Sequence, residues 1–276
     1  MTEEKNVQKI RTDHLIWQPD RDRKPILNDI CLELFAGEFY GVLGPNGAGK
    51  TSLARQILKL QKPNKGTVDL DGQKVSKIRR DALARQLSFL PQAIRGDVEF
   101  SVYEVVAMGR EPYRKRFLGP GSKDREIIEQ ALAAANCTHL KEKPVSCLSG
   151  GERQRVMIAR TIAQDTPWIF LDEPISNLDV KHQMELMQTL KKLQEQGRTV
   201  IAVLHDMNLA ALFCTEMILM KQGKVFAAGK PRDVLTKENL KQVYEVEFTF
   251  LERGEGEMPY ITPCFSAFEP STSSNK

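Results

Sequence analysis

The segment GPNGAGKT, Gly44 to Thr51, constrains this 276-residue chain more than any other stretch, because it dictates what must stand on either side of it. It fully matches the pattern G-x-x-x-x-G-K-[ST], directly after the apolar run FYGVL and directly before the helical pattern SLARQILKL. A glycine-rich turn from strand to helix presents backbone N–H groups at the positive end of a helix, which together make a cradle for phosphate. Gly44, Pro45, Asn46, Gly47, Ala48, Gly49, Lys50, Thr51 and Ser52 are therefore the candidate binding loop for ATP. Lys50 is expected to reach the β and γ oxygens, and the Thr51 hydroxyl to coordinate Mg2+. A glycine-rich turn with a chance lysine is the bland alternative, and the flanking strand and helix weigh against it.

Further short apolar runs share the strand character of FYGVL (39–43): LSFL (87–90), WIFL (168–171), TVIAVL (199–204) and MILM (217–220). Runs that are continuously apolar rather than alternating belong to strands buried on both faces of a mostly parallel sheet. With helical patterns between them, the fold class is α/β with helices on both sides. In such sheets ligands gather beyond the carboxyl ends of the strands, and several of these runs end in chemically distinctive residues. Between Gln92 and about Thr166 the pattern becomes helical, roughly over 101–109, 123–136 and 150–164, which predicts an inserted helical lobe over about 93–166. Residues 1–250 form the catalytic domain on this reading. From about Leu251 the sequence loses periodicity, and 251–276 reads as a partly disordered tail.

Composition narrows the partners. The net charge of +4, from 40 basic and 36 acidic side chains, is too even to indicate a nucleic-acid partner. No stretch approaches the ~18 consecutive apolar residues of a membrane helix, and the start MTEEKNVQKIRTDH has no secretory core, so a cytosolic protein is expected. Cys31, Cys137, Cys147, Cys214 and Cys264 show no CxxC pair and no metal-ligand spacing, and read as reduced thiols.

The run WIFLDEP delivers Asp172 and Glu173 together at a strand end. Adjacent carboxylates there are costly unless a cation or substrate uses them. Asp172 is expected to hold Mg2+, through water, and Glu173 to position and activate an attacking water. Strand-terminating surface acids or a helix cap are the alternative. In LSGGERQR, Ser149 and Glu152 have the spacing of a capping box ahead of the helical run RVMIARTIA.

At this point the chain resembles the ATP-binding cassette family, whose Leu-Ser-Gly-Gly motif stands between the phosphate loop and the Asp-Glu strand, as here. The resemblance covers residues ~10–240 and implies a P-loop NTPase core of the RecA-like kind, with an N-terminal antiparallel β part and the inserted helical subdomain. It further implies that Leu148, Ser149, Gly150, Gly151 and Glu152 face ATP held by a second copy in a head-to-tail dimer. Glu152 departs from the usual glutamine, keeping the capping geometry but placing a negative charge near phosphate. Gln92, ending LSFLPQ, matches the glutamine that reaches Mg2+ and the attacking water; alone it would read as a surface residue. Asp179 in SNLD matches the loop crossing the dimer interface; alone it could simply start the next helix. His205 in TVIAVLHD matches the switch histidine that meets the γ-phosphate; alone it would read as structural. Trp17 in HLIWQP is the candidate for stacking on adenine, the alternative being that it packs in the N-terminal sheet.

The loop IRGDVEFSVYEVVAMGREPYRKRFLG resembles that of importer ATPases serving ferric siderophores, haem and vitamin B12, which share a similar Met-Gly-Arg-x-Pro pattern. That implies separate membrane-spanning permease subunits, a substrate-binding protein in the complex, and a peripheral place on the cytoplasmic face of the inner membrane. Read without the family, Arg110, Arg114, Lys115 and Arg116 are a solvated basic loop, or a contact for anionic headgroups. Export is the nearer rival to import. Action on DNA or the ribosome is the more distant one, disfavoured by a single phosphate loop and the lack of sustained heptads.

Overall fold

Why the core strands are mostly apolar rather than alternating is visible in the computed structural model, which describes residues 8–20, 24–92, 99–114, 121–176, 178–254 and 256–264. Strands β1 (Lys9–Trp17) and β2 (Leu27–Phe35) lead to β3 (Phe39–Leu43), helix α1 (Lys50–Ile57), then β4 (Lys65–Leu70) and the short β5 (Gln73–Lys74). Helix α2 (Arg80–Ala84) and β6 (Leu87–Leu90) precede the helical lobe of α3 (Val102–Ala107), α4 (Ser122–Ala134) and α5 (Gly150–Ala163). The chain returns through β7 (Trp168–Asp172), α6 (Val180–Glu195), β8 (Thr199–Val203), α7 (Met207–Phe213), β9 (Glu216–Lys221) and β10 (Lys224–Gly229). Helices α8 (Pro231–Val234) and α9 (Lys237–Tyr244) and strands β11 (Phe248–Leu251) and β12 (Tyr260–Pro263) complete it.

The main sheet runs β10-β9-β3-β8-β7-β6, parallel throughout except for the β9 to β10 hairpin. Along β7, Trp168 and Phe170 enter the core on the α1 side, while Ile169 and Leu171 enter the core on the helical-lobe side. Strand β8 does the same with Ile201 and Val203 against Val200 and Ala202. Both faces are covered, so the strand interiors are apolar, and the buried polar residues Thr199 and Asp172 stand at strand ends. The five apolar runs read from sequence are the five parallel strands, and β1, β2, β4 and β5 form a separate antiparallel sheet.

In the helical lobe the three expected helices fall at α3, α4 and α5, but Arg110 is not part of a solvated basic loop. It is 4% exposed, in a 3-10 turn over Met108–Tyr113. Its guanidinium donates to Asp124 Oδ1 at 2.9 Å and to the Ala163 carbonyl at 2.9 Å, and lies over the Tyr113 ring. Gly109 beside it admits no side chain, since a Cβ would sit 2.4 Å from the Arg160 carbonyl of α5. Arg114 pairs with Glu111, and Lys115 and Arg116 lie outside the described residues.

The expectation of an irregular tail from Leu251 also changes. Strands β11 and β12 pair antiparallel, and Ile261 is 3% exposed in the core on the helical-lobe side. A four-residue strand with its partner across a long loop offers too short an alternation to read from sequence. Residues 265–276 lie outside the described residues.

Candidate active site

The phosphate loop occupies the turn from β3 to α1. Gly44 takes φ +141, and a Cβ there would fall 2.2 Å from the Met220 carbonyl of β9, so the turn is open only to glycine. Helix α1 starts from Gly49 with no side-chain cap and no acidic residue in its first turn, leaving its first N–H groups to an anion. Lys50 is 7% exposed, and its ammonium spans the loop, donating to the Gly44 carbonyl at 2.7 Å and the Pro45 carbonyl at 3.1 Å. Burial pushes its pKa down, while Glu173 and Asp172 pull the other way.

Asp172, the last residue of β7, is 1% exposed, and its Oδ1 accepts the Thr51 hydroxyl at 3.0 Å. Its Oδ2 is buried without a hydrogen-bond partner among the described residues. Burial pushes this carboxyl upward, and Glu173 adds to the rise against the counter-pull of Thr51, Arg55 and Lys50. An orphaned buried carboxylate oxygen beside a threonine hydroxyl is a donor set that suits a small hard cation such as Mg2+.

Glu173 follows with φ 53, a left-handed backbone uncommon for a side chain of this kind. That turn throws its carboxylate between two neighbours. Oε2 accepts from Gln92 Nε2 at 2.7 Å, and Oε1 lies 2.8 Å from His205 Nε2. Gln92 follows β6 and His205 follows β8, the strands on either side of β7. Three adjacent strand ends thus deliver an amide, a carboxylate and an imidazole to one point, beside Asp172 and the loop. A carboxylate so held can orient and deprotonate a water, and the amide and imidazole fix its direction.

Leu148, Ser149, Gly150, Gly151 and Glu152 form the start of α5. The expected capping box is present: Ser149 Oγ accepts the Glu152 N–H at 3.3 Å, and Glu152 Oε2 accepts the Ser149 N–H at 2.9 Å. The Ser149 N–H and hydroxyl hold the Glu152 carboxyl below its ordinary range. Asp179 caps α6, accepting the His182 N–H at 2.9 Å. Among the described residues no hydrogen bond or ion pair joins either group to the phosphate loop, Asp172 or Glu173. The assembled half-site is Gly44–Ser52 with Gln92, Asp172, Glu173 and His205; Leu148–Glu152 and Asp179 stand outside it. Trp17 ends β1 half-buried against the α1-side core, its carbonyl accepting the Ile26 N–H at 2.9 Å.

Sequence reasoning passed over Gln154. Its buried amide donates to the Pro174 carbonyl at 3.0 Å and ties α5 to the loop directly after Glu173. The one available signal was a glutamine at helical spacing from the apolar residues of the buried face of α5.

Comparison with known proteins identifies the family. The ABC transporter family matches residues 27–176. The chain is 41% identical to the hemin import ATP-binding protein HmuV of Pseudomonas fluorescens (strain Pf0-1), over 85% of this chain and 93% of that one. It is 34% identical to the ferric enterobactin transport ATP-binding protein FepC of Escherichia coli (strain K12), over 91% and 92%. Its fold superposes on the dimeric structure of a bacterial ABC transporter cassette with a TM-score of 0.72 at 30% identity, covering 81% of this chain and 99% of that one. A phosphate loop, a buried aspartate and a bridged glutamate at the strand ends of one parallel sheet, together with this match over more than half its length, place the chain in the ABC transporter family as an ATP-binding, ATP-hydrolysing subunit.

Proposed function

We propose that the chain powers import of an iron complex, a ferric siderophore or haem, with vitamin B12 as the related alternative cargo. The Glu173 bridge between Gln92 and His205 carries the ATPase part of this reading. Its likeness to hemin and ferric enterobactin transport subunits supports the cargo class. Gly44–Ser52 bind the ATP phosphates with Lys50 on the β and γ oxygens, and Trp17 stacks on the base. Thr51, Asp172 and Gln92 hold Mg2+, which neutralises phosphate charge when bound. Glu173 takes the proton of the attacking water, and His205 meets the γ-phosphate from the neighbouring strand end. Ser149, Gly150, Gly151, Glu152 and Asp179 complete the site of a second copy, so that two chains close head to tail over ATP. The likeness to a dimeric cassette supports that pairing.

Among the described residues no helix is long and apolar enough to cross a membrane. The likeness to import ATP-binding subunits supports separate membrane-spanning permease subunits, with this chain peripheral on the cytoplasmic face and a substrate-binding protein delivering the cargo. The test uses Glu173→Gln, which keeps the shape of the bridge and removes the base. Tagged in its native cell and extracted in mild detergent with ATP and Mg2+, it should carry with it a multi-span membrane protein whose expression rises on iron limitation. Recovery of ribosomes or DNA instead would leave the ATP chemistry and overturn the transport reading.

A further inference from the structure

On the solvent face of the antiparallel sheet, β1 and β2 break their alternation at facing positions. Strand β1 buries Thr12 and Leu15 and turns both intervening residues, Asp13 and His14, outward. Strand β2 buries Leu27 and Ile30 and leaves Asp29 exposed between them, with Cys31 exposed beyond. The register shifts between Thr12 and Leu15, and His14 and Asp29 both adopt left-handed backbone, φ 46 and 62. A bulge of this kind re-aims side chains, and non-glycine residues hold such angles only where their surroundings fix them.

The result is a donor cluster that no sequence spacing announced. One carboxylate oxygen of Asp13, one ring nitrogen of His14 and the Cys31 sulfur all lie within 4.8 Å of one another. The His14 N–H donates to Cys31 Sγ at 3.3 Å, and His14 Nδ1 lies 2.7 Å from Asp29 Oδ1, which orients the ring. Arg11 stands 3.7 Å from Asp13 and is itself exposed, so it can swing away.

We propose that Asp13, His14 and Cys31 form a binding site for a divalent transition-metal ion of the zinc class, with water completing the shell and Asp29 positioning His14. The mixed oxygen, nitrogen and sulfur donors select such an ion. Mg2+, which takes oxygen ligands, has no reason to bind here. The ion would bridge β1 to β2 a few residues ahead of Trp17 and stiffen the strand that ends on that side chain.

Co2+ serves as the probe, because a thiolate ligand gives it a charge-transfer absorption that oxygen and nitrogen ligands do not. Titrated into the nucleotide-free full chain, Co2+ should produce that absorption at one ion per chain, and Zn2+ should displace it. Cys31→Ser should abolish the absorption. His14→Ala should weaken binding by at least about tenfold, and Asp29→Asn by about tenfold. Cys147→Ser, at an exposed cysteine elsewhere, should change nothing. Zn2+ should also raise the melting temperature of the parent but not of Cys31→Ser, each compared with its own value in chelator, which separates lost binding from lost folding. Absence of the thiolate absorption in the parent, its survival in Cys31→Ser, or an equal Zn2+ shift in both chains would overturn the site.

Discussion

A carboxylate withdrawn from water with one oxygen lacking a partner weighs against folding, and Asp172 is such a group. Its pKa is raised chiefly by burial, so the ionised form is held in the folded chain at a cost that a bound cation relieves. Asp172→Asn keeps the acceptor for the Thr51 hydroxyl and removes the charge. In nucleotide-free, chelated buffer at neutral pH this variant should therefore melt at a higher temperature than the parent. With ATP present its Mg2+ affinity should fall by about 10- to 100-fold. Paired calorimetric scans and Mg2+-dependent hydrolysis assays read both effects. A variant less stable than the parent, or one with unchanged Mg2+ dependence, would show that Asp172 is a structural acid rather than a cation site. The same reasoning explains why Asp172 and Glu173 were legible in WIFLDEP: adjacent acids at a buried strand end have few uses besides chemistry. The left-handed turn that aims Glu173 at Gln92 and His205 was not legible, since it depends on three strands that are distant in sequence.

At the scale of elements, the helical lobe is welded by one cation. Arg110 joins its own 3-10 turn, the start of α4 at Asp124 and the end of α5 at Ala163, with Tyr113 beneath it. Arg110→Ala leaves Asp124 without its cation and the Ala163 and Gln164 carbonyls without this donor, and should cost about 3–5 kcal/mol of stability. Partial burial pushes the Asp124 carboxyl upward, but the Arg110 bond and the Gly121 N–H outweigh it and hold it below the ordinary carboxylate range. A depressed carboxyl contributes stability that is present above its unfolded value and is lost as pH falls through the folded one. Denaturant melts of parent and variant should thus differ fully near neutrality and converge in strong acid. A gap that stayed constant with pH would assign the loss to packing alone. Patterning could find α3, α4 and α5 because each buries one stripe at helical spacing. It could not find the weld, because an arginine in a run of basic residues reads as solvated until its partners from α4 and α5 are in place. Asp13, His14 and Cys31 were hidden for a related reason: antiparallel pairing carries Cys31 across to Asp13, and the register shift between Thr12 and Leu15 turns His14 to the same side.

Across the whole molecule the main sheet separates two cores, and the β11–β12 hairpin closes the one on the helical-lobe side. Two of its holds converge on Ile261. Ile261 is inserted in that core, and Asn208 of α7 grips the same residue's backbone, accepting its N–H at 2.8 Å and donating to its carbonyl at 3.0 Å. Helix α7 begins at Met207, two residues after His205 and capped by Asp206, so the hairpin bears on the helix that follows the imidazole. On the opposite edge of the hairpin, Phe248 meets Tyr244 of α9 edge-on at 6.0 Å. Burial raises the Tyr244 phenol, while the Gly44 backbone pulls the other way. If the hairpin is one cooperative clasp, losing either hold releases the other. Ile261→Ala should then cost about 2–5 kcal/mol, and Asn208→Ala about 1–3 kcal/mol through the unpaired Ile261 backbone. The double variant should lose clearly less than the sum of the two, because a hairpin already released by one change has little left for the second to remove. Equilibrium urea melts of the four chains measure that coupling directly, and strict additivity would mean that Ile261 and Asn208 act as independent contacts rather than as one clasp.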